Sequence, residues 1–122
     1  SDKSLQLFIK EALSGSPIKN IRNCSLVKEA YDLYGQVQSP IIVIDTFLPG
    51  SSGLDLIKAM RKISENSAIV LLARIGTKTF VEKAFRMGAS DVLPYPVDKE
   101  TFLNTILHRV KNIKELEIQF GN

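Results

Sequence analysis

The residues best placed to do chemistry stand in "IIVIDTFLPGSSGLDLIKAM", positions 41–60. An otherwise apolar run ends there in one acidic residue, Asp45, with Pro49-Gly50 and Gly53 close behind. A carboxylate in that setting is a candidate nucleophile or cation ligand. Two other apolar runs end in comparable positions, at Ala73-Arg74 and at Tyr95. Other suggestive features carry less. "PGSSG" (49–53) looks like a phosphate loop but lacks the Gly-Lys-Ser/Thr ending, and a turn into a helix explains it better. His108 is the only histidine, has no ligand set beside it, and reads as a surface residue. Cys24 is the only cysteine; it excludes an internal disulfide and reads as structural. Lys58, Arg61 and Lys62 read as a solvated helix face, and with Arg74 and Lys78 as a modest patch for an acidic partner.

The elements that must position Asp45 follow from periodicity. Leu5, Phe8, Ile9, Ala12 and Leu13 recur at helical spacing, which predicts an amphipathic helix over 3–14, ended by Gly15 and Pro17. "IKNIRN" (18–23) is a short strand candidate, and Ser25 a cap for a second helix closed by Gly35. "PIIVID" (40–45) and "AIVLLA" (68–73) are continuous apolar runs, the pattern of strands covered on both faces of a parallel sheet. Ser52 with Asp55 predicts a capped helix carrying Leu54, Ile57 and Met60. Thr77 caps a further helix that ends at Gly88, "DVLPY" (91–95) is a short strand, and Asp98 caps a last long helix. Alternating helices and short strands predict an α/β fold, doubly wound, with helices on both faces of a parallel sheet. Chemistry in such folds gathers at the carboxyl ends of the strands, where Asp45, Ala73-Arg74 and Tyr95 all fall.

Composition bounds the class. The chain has 122 residues, 44% apolar and 24% charged, which suits one globular domain with a real core. The net charge of +3 does not by itself argue for nucleic acid. No apolar stretch approaches the roughly 20 residues of a membrane span. Lys10 and Glu11 interrupt the first apolar segment, so no leader peptide is expected, and the lone cysteine fits a reducing cytoplasm.

"IIVIDTFLPGSSGLDLIKAMRK", then "AIVLLAR", then "AFRMGASDVLPYPVDKETFLNTI", resemble the receiver domain of bacterial two-component response regulators, a flavodoxin-like, CheY-like fold. The resemblance runs from the first helix to the last. It implies a signalling module rather than an enzyme. Asp45 takes the phospho-acceptor position, with a sensor histidine kinase or phosphotransfer protein as partner. The chemistry is coherent: a carboxylate attacks a phosphoryl group to form an acyl phosphate, while a divalent cation and hydrogen-bond donors neutralise the charge. The implied cofactor is Mg²⁺, with Asp45, Phe47 and Asp2 as its ligand positions. Nucleic acid enters only through an output domain, DNA-binding or ATPase, elsewhere in the protein.

Several family residues are replaced. Ala73 stands where the family has Ser or Thr, Arg74 where it has a small residue, and Tyr95 where it has Lys. A guanidinium binds phosphate well, so Arg74 is a candidate substitute for that Lys, but the plainer expectation sends it to solvent. Val92 replaces the aromatic switch residue. The family's first strand, which ends in the acidic pair, is absent ahead of the first helix; Ser1 falls on the second acidic position and Asp2 just after it. That strand is central in the family's topology, and an empty slot leaves costly unpaired backbone. Three sources are open: a segment outside this sequence, another chain, or the C-terminal "ELEIQF", whose Leu116, Ile118 and Phe120 alternate like a strand.

The same tail reads equally well as helix. Leu103, Ile106, Val110, Ile113 and Phe120 fit a and d positions of one heptad frame. The expected division is a receiver-like domain over 1–113 and a helical linker or dimer seam over 114–122. Val92, Leu103, Ile106, Val110 and Ile113 are the candidate surface for an output domain or a homodimer. Two functional readings follow: a receiver that accepts a phosphoryl group on Asp45, weakly if at all, or a phosphorylation-independent docking or dimerisation module. An enzyme on the same scaffold finds no nucleotide loop, metal cluster or nucleophile–base pair in its favour.

Overall fold

A computed structural model describes residues 3–16, 18, 21–24, 41–48, 51–63, 65–109 and 118–121. Its elements in order are α1 (Lys3–Leu13), β1 (Ile21–Cys24), β2 (Ile41–Asp45), β3 (Phe47–Leu48), β4 (Ser51–Ser52) and α2 (Gly53–Ile63). They continue with β5 (Ala68–Ala73), α3 (Lys78–Met87), β6 (Asp91–Pro94), α4 (Lys99–Arg109) and β7 (Ile118–Gly121). The helix expected after Ser25 lies outside the described residues.

Five strands form one parallel sheet in the order β1-β7-β2-β5-β6. The central position is filled from the C-terminal end of the sequence. Ile118 pairs with both Ile21 and Ile41, and Gly121 with both Cys24 and Ile44. Of the three sources left open by the sequence, the structure uses the tail. This corrects the helical reading of that segment: residues 118–121 are a strand, and no part of a linker helix. Unpaired N–H and C=O groups on both flanks of an empty slot are the physical reason a strand prevails there. Val110, Ile113 and residues 114–117 lie outside the described residues.

The β-branched run of β2 presents alternate residues to opposite faces, so each half of it joins a different core. Ile41 and Val43 pack with Val70 and Leu72 beneath α1 and α4, against Leu5, Ile9, Phe102 and Ile106. Ile42 and Ile44 pack with Ile69 and Leu71 beneath α2 and α3, against Leu56, Ile57, Met60 and Ala84. Two-sided cover is the reason β2 and β5 contain no polar residue until their carboxyl ends.

The helix ends obey the expected signals. Thr77 caps α3 by accepting from the Phe80 amide, and Gly88 ends it at φ 121°. Asp98 caps α4: its Oδ1 accepts from the Thr101 amide at 2.8 Å and its Oδ2 from the Thr101 hydroxyl at 2.8 Å. Those bonds, the backbone one foremost, hold Asp98 below the usual carboxylate range. Ser51-Ser52 pairs antiparallel with Phe47-Leu48 immediately before α2.

Two site expectations fall within this core. Ile106 is fully buried, so it supports the sheet and offers no docking surface. Val92 and Leu103 are half-buried against the two cores. Arg61 does not lie along a solvated face either. Its Nε and Nη2 donate to the Gly88 carbonyl at 3.1 and 2.6 Å, and its Nη1 donates to the carbonyls of Glu65 and Ser67. It ties the end of α2 to the end of α3. Its aliphatic stem crowds Gly88, where an added Cβ would come within 2.9 Å of the Arg61 Cγ.

Candidate functional site

The site grows from three strand ends. Asp45 closes β2 and pairs in register with Leu72, Ala73 pairs with Pro94, and the Tyr95 amide donates to the Ala73 carbonyl at 2.9 Å. Asp45, Arg74 and Tyr95 therefore meet at the carboxyl edge, as the alternation of elements predicts. The Asp45 carboxylate is buried, with only 4% of its surface exposed. A buried carboxylate needs a partner, because desolvating an unpaired charge costs several kcal/mol, of order.

The partner is Arg74. Its Nε donates to Asp45 Oδ1 at 2.9 Å and its Nη2 to Oδ2 at 3.2 Å, a bidentate fork. Solvent exposure was the plainer expectation for this side chain, and the structure overturns it. About a third of the Arg74 side chain remains exposed (32%), and its second contact is an aromatic face. Arg74 Cζ lies 4.8 Å from the centroid of the Tyr95 ring, within cation–π range. Tyr95 is fixed in turn by Phe8 of α1, ring edge to face at 5.8 Å, and Phe8 meets Phe102 of α4 at 5.5 Å. The guanidinium is thus clamped between a carboxylate and a ring that the main core supports.

Thr46 completes the arrangement and was not singled out by sequence. Its buried hydroxyl donates to the Leu72 carbonyl at 2.6 Å and accepts from the Arg74 amide at 2.8 Å. The hydroxyl lashes the tip of β2 to the tip of β5 and aims the start of the Arg74 side chain at Asp45. Its position directly after Asp45 was the available signal. Gly53 is also required here. Its amide donates to the Thr46 carbonyl at 2.8 Å, and a Cβ at that position would lie 2.4 Å from the Asp45 carbonyl oxygen. The glycine lets the start of α2 close onto the strand end.

The described residues do not fit the divalent cation that the resemblance implies. Both oxygens of the one buried carboxylate already face a guanidinium, and no cluster of three His, Cys, Asp or Glu side chains occurs among the described residues. Asp2 lies outside them, and nothing is described of the Phe47 side chain.

Comparison with known proteins identifies the family to which this fold belongs. The family model for the response regulator receiver domain matches residues 2–107. The chain belongs to the response-regulator receiver family. Among relatives, it is 24% identical over 92 residues to the chemotaxis protein CheY of Thermotoga maritima, covering 75% of this chain and 77% of that protein. It is 25% identical over 107 residues to the DNA-binding transcriptional regulator NtrC of Azospirillum brasilense, covering 86% of this chain and 22% of that one. It spans 49% of the Bacillus subtilis transcriptional regulatory protein MalR at 25% identity. The receiver domain of Francisella response regulator 1452 superposes with a TM-score of 0.83 at 25% identity, over 93% of each chain. The receiver match ends at residue 107, so β7, which completes this receiver's sheet, lies beyond it.

No helix among the described residues is long and apolar enough to cross a membrane.

Proposed function

We propose that this receiver signals without phosphoryl transfer to Asp45, its carboxylate being held as the permanent ion-pair partner of Arg74. The single observation that supports this reading is the bidentate fork from Arg74 to both Asp45 oxygens. An attacking carboxylate must present a free oxygen in line with the phosphorus, and this one presents both to a guanidinium. The surrounding substitutions favour the same reading. Ala73 has no hydroxyl for a phosphoryl oxygen, Tyr95 supplies a ring in place of an ammonium group, and the Thr46 hydroxyl is engaged on both sides.

In this reading Arg74 provides at all times the positive charge that a cation and a lysine provide transiently in a phosphorylated receiver. The tips of β2 and β5 stay joined, and the domain serves as a docking module for its partners. Those partners are a sensor kinase or phosphotransfer protein and an output domain, of the DNA-binding kind that the name of NtrC describes. The surface formed by α3, β6 and α4 is the proposed contact face, with Ile106 beneath it rather than on it.

Acetyl phosphate with Mg²⁺, read by intact mass, tests the proposal. The expected result is no phosphoryl adduct on the parent chain and the same spectrum for Asp45→Ala. A stoichiometric adduct on the parent that Asp45→Ala abolishes would establish the phospho-accepting reading instead. Arg74→Ala is the informative third arm, because it frees the carboxylate without altering it.

A further inference from the structure

A line of aromatic rings runs from the Asp45 site into the layer formed by α1 and α4. Arg74 Cζ lies 4.8 Å from the centroid of the Tyr95 ring. Tyr95 meets Phe8 of α1 at 5.8 Å with the rings at 86°, and Phe8 meets Phe102 of α4 at 5.5 Å and 64°. Phe102 is fully buried, Phe8 and Tyr95 are half-buried, and Arg74 keeps access to water. The line therefore begins in close-packed core and ends on the guanidinium that holds Asp45. Two arrangements are open to a side chain placed like Arg74: folded back on the carboxylate, or extended into water with its charge solvated. The ion pair alone decides weakly between them, because solvent screening and lost rotamer freedom offset much of a partly exposed pair. The face of Tyr95 adds a second contact to the folded-back arrangement. The Tyr95 amide is fixed by the Ala73 carbonyl, but the direction of the ring is left to its neighbours, and the edge of Phe8 sets it.

We propose that Tyr95 and Phe8 are positioning residues for Asp45, so that the packing of α1 against α4 decides how firmly Arg74 holds the carboxylate. The inference rests on the reading of Asp45 as the held partner of Arg74, and it adds where that hold is regulated. Phe8 acts on Asp45 through Tyr95 and Arg74, in that order. Coupling in this chain then runs from the helical layer to the sheet edge. A partner that binds better when α1 is shifted against α4 turns the Tyr95 ring and loosens the fork, and by reciprocity a loosened fork favours that partner.

Solvent exchange of the Arg74 Nε–H proton, followed by heteronuclear NMR on the full chain, tests this, because that proton is donated to Asp45 Oδ1 at 2.9 Å. Tyr95→Leu is expected to speed the exchange about three- to tenfold, the range that loss of a partly exposed cation–π contact supports. Tyr95→Phe keeps the ring and should keep the parent rate. Phe8→Leu leaves Asp45, Arg74 and Tyr95 unaltered and should speed the exchange as well. Backbone amides of Ile69–Leu72 are the reference, and they should hold their parent rates in all three variants. Parent-like Nε–H exchange in Tyr95→Leu or in Phe8→Leu overturns the proposal, and so does an acceleration that the Ile69–Leu72 amides share. A stability cycle of Phe8→Leu with Asp45→Asn gives a second measurement: non-additive effects are expected, and additive ones overturn the coupling. Asp45→Asn by itself separates the two claims. If the Arg74 Nε–H exchanges as fast in the parent as in Asp45→Asn, the fork is absent and the reading of Asp45 as a held carboxylate fails first. If the parent is protected and Tyr95→Leu matches it, the fork stands and only the positioning role fails.

Discussion

The half of the sheet formed by β2, β5 and β6 and the half formed by β1 and β7 are held together by different means. In the first half, Ile41–Ile44 and Ile69–Leu72 are buried on both faces by α1, α4, α2 and α3. Its strands follow one another along the chain through short helical crossovers, so packing and connectivity reinforce each other. In the second half, β1 joins the sheet through a strand nearly a hundred residues further along, from the far side of α4. Closing so long a loop costs entropy that the parallel ladders of β7 help to offset. The Asp45 site belongs to the first half, which is why its geometry rests on neighbours in β2 and β5.

The comparison can be broken by mutation, beginning with the largest effect. Phe102→Ala removes a fully buried ring beneath both Phe8 and the sheet. We expect a loss of about 3–5 kcal/mol by denaturant unfolding, with both halves of the sheet melting together. Separate transitions for the two halves would show that they unfold independently. Phe120→Pro then probes the second half alone, because proline removes a ladder donor from a central strand. Amides of Ile21–Cys24 should lose hydrogen-exchange protection while those of Ile69–Leu72 keep theirs. Uniform loss would mean that β7 supports the entire sheet.

Smaller effects sharpen the account of the site. Arg74→Ala removes the bidentate partner of the buried Asp45; because the Arg74 side chain is about a third exposed, the expected loss is about 1–3 kcal/mol rather than the full cost of a buried pair. A double-mutant cycle with Asp45→Ala should return a coupling of at least about 0.5 kcal/mol, and zero coupling would remove the ion pair from the argument. The smallest effect lies at the exposed Asp98 cap. Thr101 holds its carboxyl below the usual range, so its stabilising share is present above the ordinary value of 3.8 and is lost as pH falls through the lower folded one. The melting difference between parent and Asp98→Ala should be present at neutral pH and vanish in acid; a difference constant with pH would show that the charged cap has no role.

Asp45, Arg74 and Tyr95 could be assigned to one edge from the sequence because each directly follows an apolar run of a parallel sheet. Which of them touch could not. Whether a long side chain such as Arg74 folds back or reaches into water depends on what lies within its radius. Here that was a desolvated carboxylate on one side and a ring steadied by Phe8 on the other. Thr46 escaped notice for the same reason: a hydroxyl that ties two strand tips gains its role only when Leu72 and Arg74 arrive beside it.

The linear order of residues by itself determined the alternation of helices and strands, the caps at Thr77 and Asp98, the two-faced burial of β2 and β5, and the edge at which Asp45 stands. These follow from local periodicity and from the chemistry of helix ends, which act within a few residues. Only the tertiary structure decided that the tail is the central strand and that Arg74 grips Asp45. Residues 118–121 carry an ambiguous pattern, and what makes them a strand is a slot bounded by β1 and β2, whose open hydrogen-bonding groups lie far away in sequence. Unsatisfied backbone and unpaired charge are satisfied by whatever the fold brings near, and that is a property of three dimensions.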